Sequence, residues 1–212
     1  IRARYDATQT NHDNQRHWAA ADGLSAASAN SPGVRAILRK RSRYECTNNG
    51  IASGIVSTLT NDVIGTGPRL QIQAARKLTR PIERAFRRWS DEVNLADKLR
   101  TMRRARLVDG ECFAVFVSNE RMLSPIQMDV RLVEADRVAD DTFNLTAANN
   151  SWLDGIQYDQ TGTPIAYRIL NSHPGDSLQF IRNPTASTKY EAKHVVHDYK
   201  AERSGQLRGI PE

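Results

Sequence analysis

Between Ser31 and Pro68 apolar residues recur at Val34, Ile37, Leu38, Tyr44, Ile51, Ile55, Val56, Leu59 and Val63. Spacings of three and four line one side of a helix. Ser31 suits an N-cap and Pro32 the first helical position, where a missing N–H costs nothing. Gly65, Gly67 and Pro68 end the run, because Gly accepts a left-handed conformation and Pro cannot continue the ladder. Asn48, Asn49 and Gly50 are poor helix formers. The stretch is therefore expected to form two helical segments, possible coaxial neighbours, with a kink or break between them. The first segment is very basic (Arg35, Arg39, Lys40, Arg41, Arg43). The second is almost uncharged, and such a helix needs protein on most of its sides.

Beyond Pro68 the period changes twice. Arg69–Gln73 alternates as a half-buried strand would. A helix is expected from about Ala75 to Val93, with Leu78, Ile82, Ala85, Phe86 and Trp89 on one side and Arg76, Lys77, Arg80, Arg84, Arg87 and Arg88 on the other. A further helix from Leu95 to about Val108 turns Leu99, Met102 and Leu107 inward and Arg100, Arg103, Arg104 and Arg106 largely outward. From Glu111 onward, strands are expected at Cys112–Val117, apolar enough to be central, and at Gln127–Val133, Gly155–Tyr158, Ile165–Leu170 and His194–Tyr199. Asp159–Pro164 has the composition of a hairpin turn. Asp140–Ser151 and Ser172–Thr188 read as polar loops. Helices first and antiparallel strands afterwards make an α+β fold, helices packed on a mostly antiparallel sheet. Residues 1–31 are too polar to bury a core and read as an arm, lying either on a neighbouring subunit or on its own domain; residues 32–212 read as the folded domain.

A chain of 212 residues is long enough to hold a core without staples. Its two cysteines, Cys46 and Cys112, argue against a disulfide framework and for reduced thiols in a cytosolic setting. No apolar run approaches the length that spans a bilayer, and no membrane partner is expected. The net charge of +6 comes mostly from arginine, read first as solvated or subunit-facing helix faces and second as phosphate contacts. Aromatic residues do not alternate with these arginines, which weakens a base-stacking role.

Gly65-Thr66-Gly67 follows a helix and precedes a strand, the reverse of the order that aims backbone N–H groups at phosphate, so it reads as a helix stop. Asp109 with Glu111, and Glu134 with Asp136, are the paired carboxylates a metal-dependent hydrolase would use, but they flank strand ends where acids ordinarily sit in turns. His194 and His197 would point to opposite faces of a strand, which is wrong for a shared metal. Trp152 reads as a cap over the sheet. No catalytic residue, metal site or cofactor is expected.

The order RSRYE, NN and GIVSTLTNDVIGTGPRLQIQ, then LVDGECFAVF (107–116), RLVEADRV (131–138), DGIQYDQTGTPIAYRIL (154–170) with HPGD (173–176), and SGQLRGIPE (204–212), resembles the N-terminal portion of lambda-type tailed-phage portal proteins. That resemblance implies a wing-like α+β domain, truncated before the helices that line the channel. It implies a structural subunit of a ring of about twelve copies, which admits and releases double-stranded DNA and meets capsid, terminase and head–tail connector proteins. The location implied is the portal vertex of the virion, and the host cytoplasm during assembly or when prophage-encoded. Arg41, Arg43, Glu45 and Asn49 are the expected subunit contacts, and Arg84, Arg88, Arg103 and Arg104 the weaker expectation for nucleic acid. Two other readings stand beside it: a basic DNA-binding module without a ring, and a metal-dependent hydrolase using Asp109, Glu111, Glu134 and Asp136.

Overall fold

A computed structural model describes residues 8–73, 76–140, 152–176 and 187–212, without the side chains of residues 76 and 77. The expected loops over 141–151 and 177–186, and the start of the arm, lie outside the described residues. Five helices precede the strands: α1 (Ala26–Ala29), α2 (Pro32–Asn48), α3 (Gly50–Ile64), α4 (Arg76–Glu92) and α5 (Leu95–Asp109). Seven strands follow, β1 (Glu111–Ser118), β2 (Met128–Val133), β3 (Trp152–Leu153), β4 (Ile156–Tyr158), β5 (Pro164–Leu170), β6 (Ser187–Glu191) and β7 (Val195–Tyr199). The α+β class is as expected.

The strands form two antiparallel sheets rather than one. The first has the order β2-β1-β7, the second β3-β4-β5-β6. Strand β1 is central as its composition predicts, with Phe113 opposite Val133 on one side and His197 on the other. Its alternation separates two cores. Phe113 and Val115 join Val133, Val138, Ile156, Tyr167 and Ile169 between the sheets. Cys112 and Ala114 face the helices and join Trp89, Val93, Met102 and Val130. The domain is thus three layers: helices, a three-stranded sheet, and a four-stranded sheet. Trp89 is fixed in the outer core by its Nε1–H donating to the Met128 carbonyl at 2.6 Å.

Asn49 divides α2 from α3. Its backbone is extended (φ −112°, ψ 110°), so the two helices are separate, and its side chain accepts from the N–H groups of Ile51 and Ala52 to cap α3. Gly65 ends α3 at φ 52°, which confirms the helix stop. Arg69–Gln73 is the exception to expectation: it forms no ladder with any described strand, and Leu70 is exposed. Alternation without a partner edge does not make a strand. Conversely, β6 arises within a stretch read partly as loop, pairing with β5 from Ser187 opposite Leu170 to Glu191 opposite Ala166.

Candidate functional site

Helix α2 is oriented by its arginines. Arg35, Arg39 and Arg43 are four residues apart and so share one side of the helix, and that side faces inward: Arg35 and Arg39 are buried. They meet acids at the ends of distant elements. Arg39 binds Glu111 and, at 3.2 Å, Asp136, and also donates from Nε to the Asp109 carbonyl. Arg43 donates to Asp109 and to Asp136, each at 2.6 Å. Arg35 binds Asp154 and the Asn30 carbonyl.

Glu111, with 0% of its surface exposed, is the hub. Arg208 donates to it from Nε at 2.9–3.0 Å and from Nη2 at 2.8 Å, and the Gly209 N–H donates at 3.0 Å. His197 Nε2 lies 2.9 Å away. An ionised carboxylate only accepts, so the proton of that bond is on His197 Nε2. Burial alone would raise the pKa of Glu111, but Arg208 and the hydrogen bonds from His197 and Arg208 hold it well below the usual carboxylate range. Burial lowers the pKa of His197, outweighing the pull of Glu111, and leaves a neutral ring stacked between Phe113 and Tyr199. Burial and the adjoining Arg208 charge lower Arg35 to about 10.

Backbone approach completes the cluster. A Cβ on Gly209 would lie 2.0 Å from the Gly110 carbonyl oxygen, and one on Gly110, already at φ 86°, 2.2 Å from the Ile210 carbonyl carbon. The segments LVDGE and RGIPE therefore meet through paired glycines. Arg208 also donates to the carbonyls of Ala135, Val138 and Asp154. Five of the stretches singled out in the sequence converge here: RSRYE through Arg43 and the helix it ends, LVDGE, VEADRV, the start of DGIQY, and LRGIPE. The end of the expected arm is tied in as well, Asn30 Nδ2 donating to the Arg208 carbonyl at 2.8 Å and Arg203 to the Leu24 carbonyl at 3.0 Å.

This arrangement gives the acids of the hydrolase reading other partners. Asp109, Glu111 and Asp136 are each engaged by guanidinium groups, and Glu134 lies 3.3 Å from His173 Nε2. Among the described residues no group of three His, Cys, Asp or Glu side chains is placed to hold a metal ion. Cys46 and Cys112 are free thiols. Trp152 sits on the four-stranded sheet, with Arg168 Cζ 4.4 Å and Lys189 Nζ 5.5 Å from its ring centre.

With arginine inward, the apolar row of α2 faces out. Val34, Ile37, Leu38 and Tyr44 are all exposed. On α3 the small or short side chains Ala52, Ser53, Val56 and Thr60 turn inward, while Ile51, Ile55, Leu59 and Val63 are exposed. Of the expected subunit contacts, Arg41 and Glu45 lie on this outer side and are exposed, Arg43 is on the opposite side in ion pairs, and Asn49 is the exposed cap of α3.

The four arginines singled out for nucleic acid do not sit together. Arg84 and Arg88 are exposed and line a hollow of about 450 Å³ with Arg80, Glu92, Leu123 and Pro125. Arg104 is exposed in a second hollow of about 240 Å³ beside Arg43 and Asp109. Arg103 and Arg106 are not outward: both lie 3.7 Å from the Glu212 carboxylate, and Arg106 pairs with Asp198 at 3.0 Å. Glu212 and Asp198 draw them in. Of the missed participants, Arg35 and Arg39 carried a legible signal, a row with Arg43 at four-residue spacing on the side of α2 away from its apolar residues, and Arg208 carried none.

Residues 12–212 match the lambda family of phage portal proteins. The chain belongs to that family. It is 27% identical over 163 residues to a probable portal protein of Halomonas phage phiHAP-1, an alignment covering 67% of this chain and 30% of that relative. The chain thus spans under a third of the length of the portal relative it matches. The segments tied together at Glu111 all fall within the family match.

Proposed function

We propose that the chain is the outer, N-terminal part of a non-catalytic portal subunit, one of about twelve in a ring at a capsid vertex. Through that ring double-stranded DNA enters and leaves, and on it terminase and head–tail connector proteins dock. Residues 1–31 form an arm and residues 32–212 the wing-like unit. The subunit is built in the host cytoplasm and ends in the virion. The observation that carries this reading is the family match together with the uncovered apolar face of α2 and α3, a surface too large to leave in water. A rigid body held by a buried charge hub suits a part that must keep its shape under load. Particle images and native mass of the full-length protein test it: closed rings around a central hole are expected, and a monomer would overturn it.

A second reading rests on α4, where Arg80, Arg84, Arg87 and Arg88 are exposed and have no carboxylate partner among the described residues. Neutralising about four phosphates with them predicts that log affinity for duplex DNA falls with log salt at a slope near −3.6. Retained binding by an Arg84→Ala, Arg88→Ala double variant would remove it. The hydrolase reading has no support from Asp109, Glu111 and Asp136, which are held by arginines, nor from Glu134, which lies beside His173.

A further inference from the structure

Resting on the ring reading, we propose that the outer face of α2 and α3 receives a second copy of this chain, and that the neighbour presents there the patch formed by α4 and the β1–β2 loop. The α2–α3 row is built outward on purpose of shape: Ile51, Ile55, Leu59 and Val63 project from α3 while its small residues turn to α5. Exposure along the whole row runs from 37% at Leu38 to 77% at Ile51. Its eight large apolar side chains leave on the order of 800 Å² uncovered, the share that one partner gives to a standard interface.

A closed ring of more than two copies requires each subunit to offer two different surfaces. Among the described residues the other concentration of exposed large apolar side chains is Leu78 and Ile82 on α4 with Leu123 and Ile126 in the β1–β2 loop, and Leu123 is 96% exposed. The hollow lined by Pro81, Ala85, Leu123 and Pro125 joins helix and loop into one patch.

Charge favours the same pairing. Glu45 and Asp62 lie within the apolar row, exposed and without an ion-pair partner among the described residues, whereas Arg80, Arg84 and Arg88, also without one, line the hollow of the second patch, with Glu92 as its acid. Two charges of the opposite sign border the row: Arg41, four residues from Glu45 and able to pair with it at the interface, and the exposed Lys40, four residues from Tyr44.

The test uses full-length protein with Cys46→Ser, carrying Ile55→Cys and Leu123→Cys together or singly, oxidised and run under denaturing conditions. A ladder of covalent multiples from the double variant, and none from either single variant, is the expected result. An intact ring by native mass without a ladder places the contact elsewhere and overturns the proposal while leaving the ring reading standing. A link confined to one chain shows that a further segment of the same polypeptide brings the row and the patch together, and dimers from Ile55→Cys alone show two-fold pairing; either overturns it. A monomeric parent protein instead sinks the ring reading itself. In parallel, Ile55→Asp in the full-length protein is expected to abolish the ring and to leave the far-ultraviolet circular dichroism of the subunit unchanged, and a ring that survives it counts against the proposal.

Discussion

Replacing Glu111 by Gln keeps the size of the side chain but removes the negative charge from the hub. Arg39 and Arg208, both nearly fully buried, would then face an amide. Breaking a buried pair by removing one partner costs about 3–5 kcal/mol. Here Arg39 keeps Asp136 at 3.2 Å and Arg208 keeps Asp154 at 3.0 Å, so the lower figure, about 3 kcal/mol, is expected. With a urea slope of about 2 kcal/mol/M the midpoint should fall by about 1.5 M at pH 7. The pH dependence has a definite sign. Because the native pKa of Glu111 is depressed below the ordinary 4.5, its contribution is complete above that value and is lost as the pH falls toward the native pKa. The gap between parent and variant should therefore be full at neutral pH and narrow below 4.5. A midpoint change under about 0.5 M, or a gap indifferent to acid, would refute a buried, ionised hub.

His197 is expected to show a second, higher window. Its native pKa is lowered from 6.5, so the unfolded chain takes up the proton first and stability declines as the pH falls through 6.5, by at most about 1.4 kcal/mol per pH unit. Urea midpoints between pH 7.5 and 5.5 should lose that slope in His197→Gln, and identical slopes would speak against a neutral buried ring. Gly110→Ala should cost about 3 kcal/mol or more, combining a left-handed residue with backbone overlap, whereas Gly162→Ala, at φ 82° with nothing within 4 Å, should cost about 1 kcal/mol. Thermal melts of the two variants side by side check this, equal losses being the contrary outcome. Asn49→Ala should cost about 1 kcal/mol through the lost cap of α3, and Asn49→Ser much less; circular dichroism melts with no difference between the two would put the role of Asn49 elsewhere.

Element boundaries were legible because their causes are local. Pro32, Asn49 and Gly65 mark the ends of α2 and α3 through caps and backbone preferences that act within a few residues. The continuous apolar run Cys112–Val117 likewise announced a central strand. What local pattern does not contain is which side of α2 turns inward. Its arginine row and its apolar row have the same helical spacing, and the choice depends on acids 66 to 119 residues away in sequence. The same limit applies to Arg103 and Arg106, whose orientation is set by Glu212 and Asp198. Arg69–Gln73 alternates correctly and still forms no strand, because pairing needs an edge that no short window reports.

The dependence of Glu111 on Arg208, 97 residues further along the chain, bears on biosynthesis. A ribosome must complete LRGIPE and clear it from the exit tunnel before the hub can close, since β1 emerges with Arg39 already made but long before Arg208 and Gly209. Until then the nascent polypeptide holds an acid that lacks its Arg208 partner and a Gly110 that has no Gly209 to close upon, so the three-layer body is acquired late. Messages cut short upstream of the Arg208 codon should yield products that proteases clear, a quality check on the subunit before any copy is offered to a growing assembly.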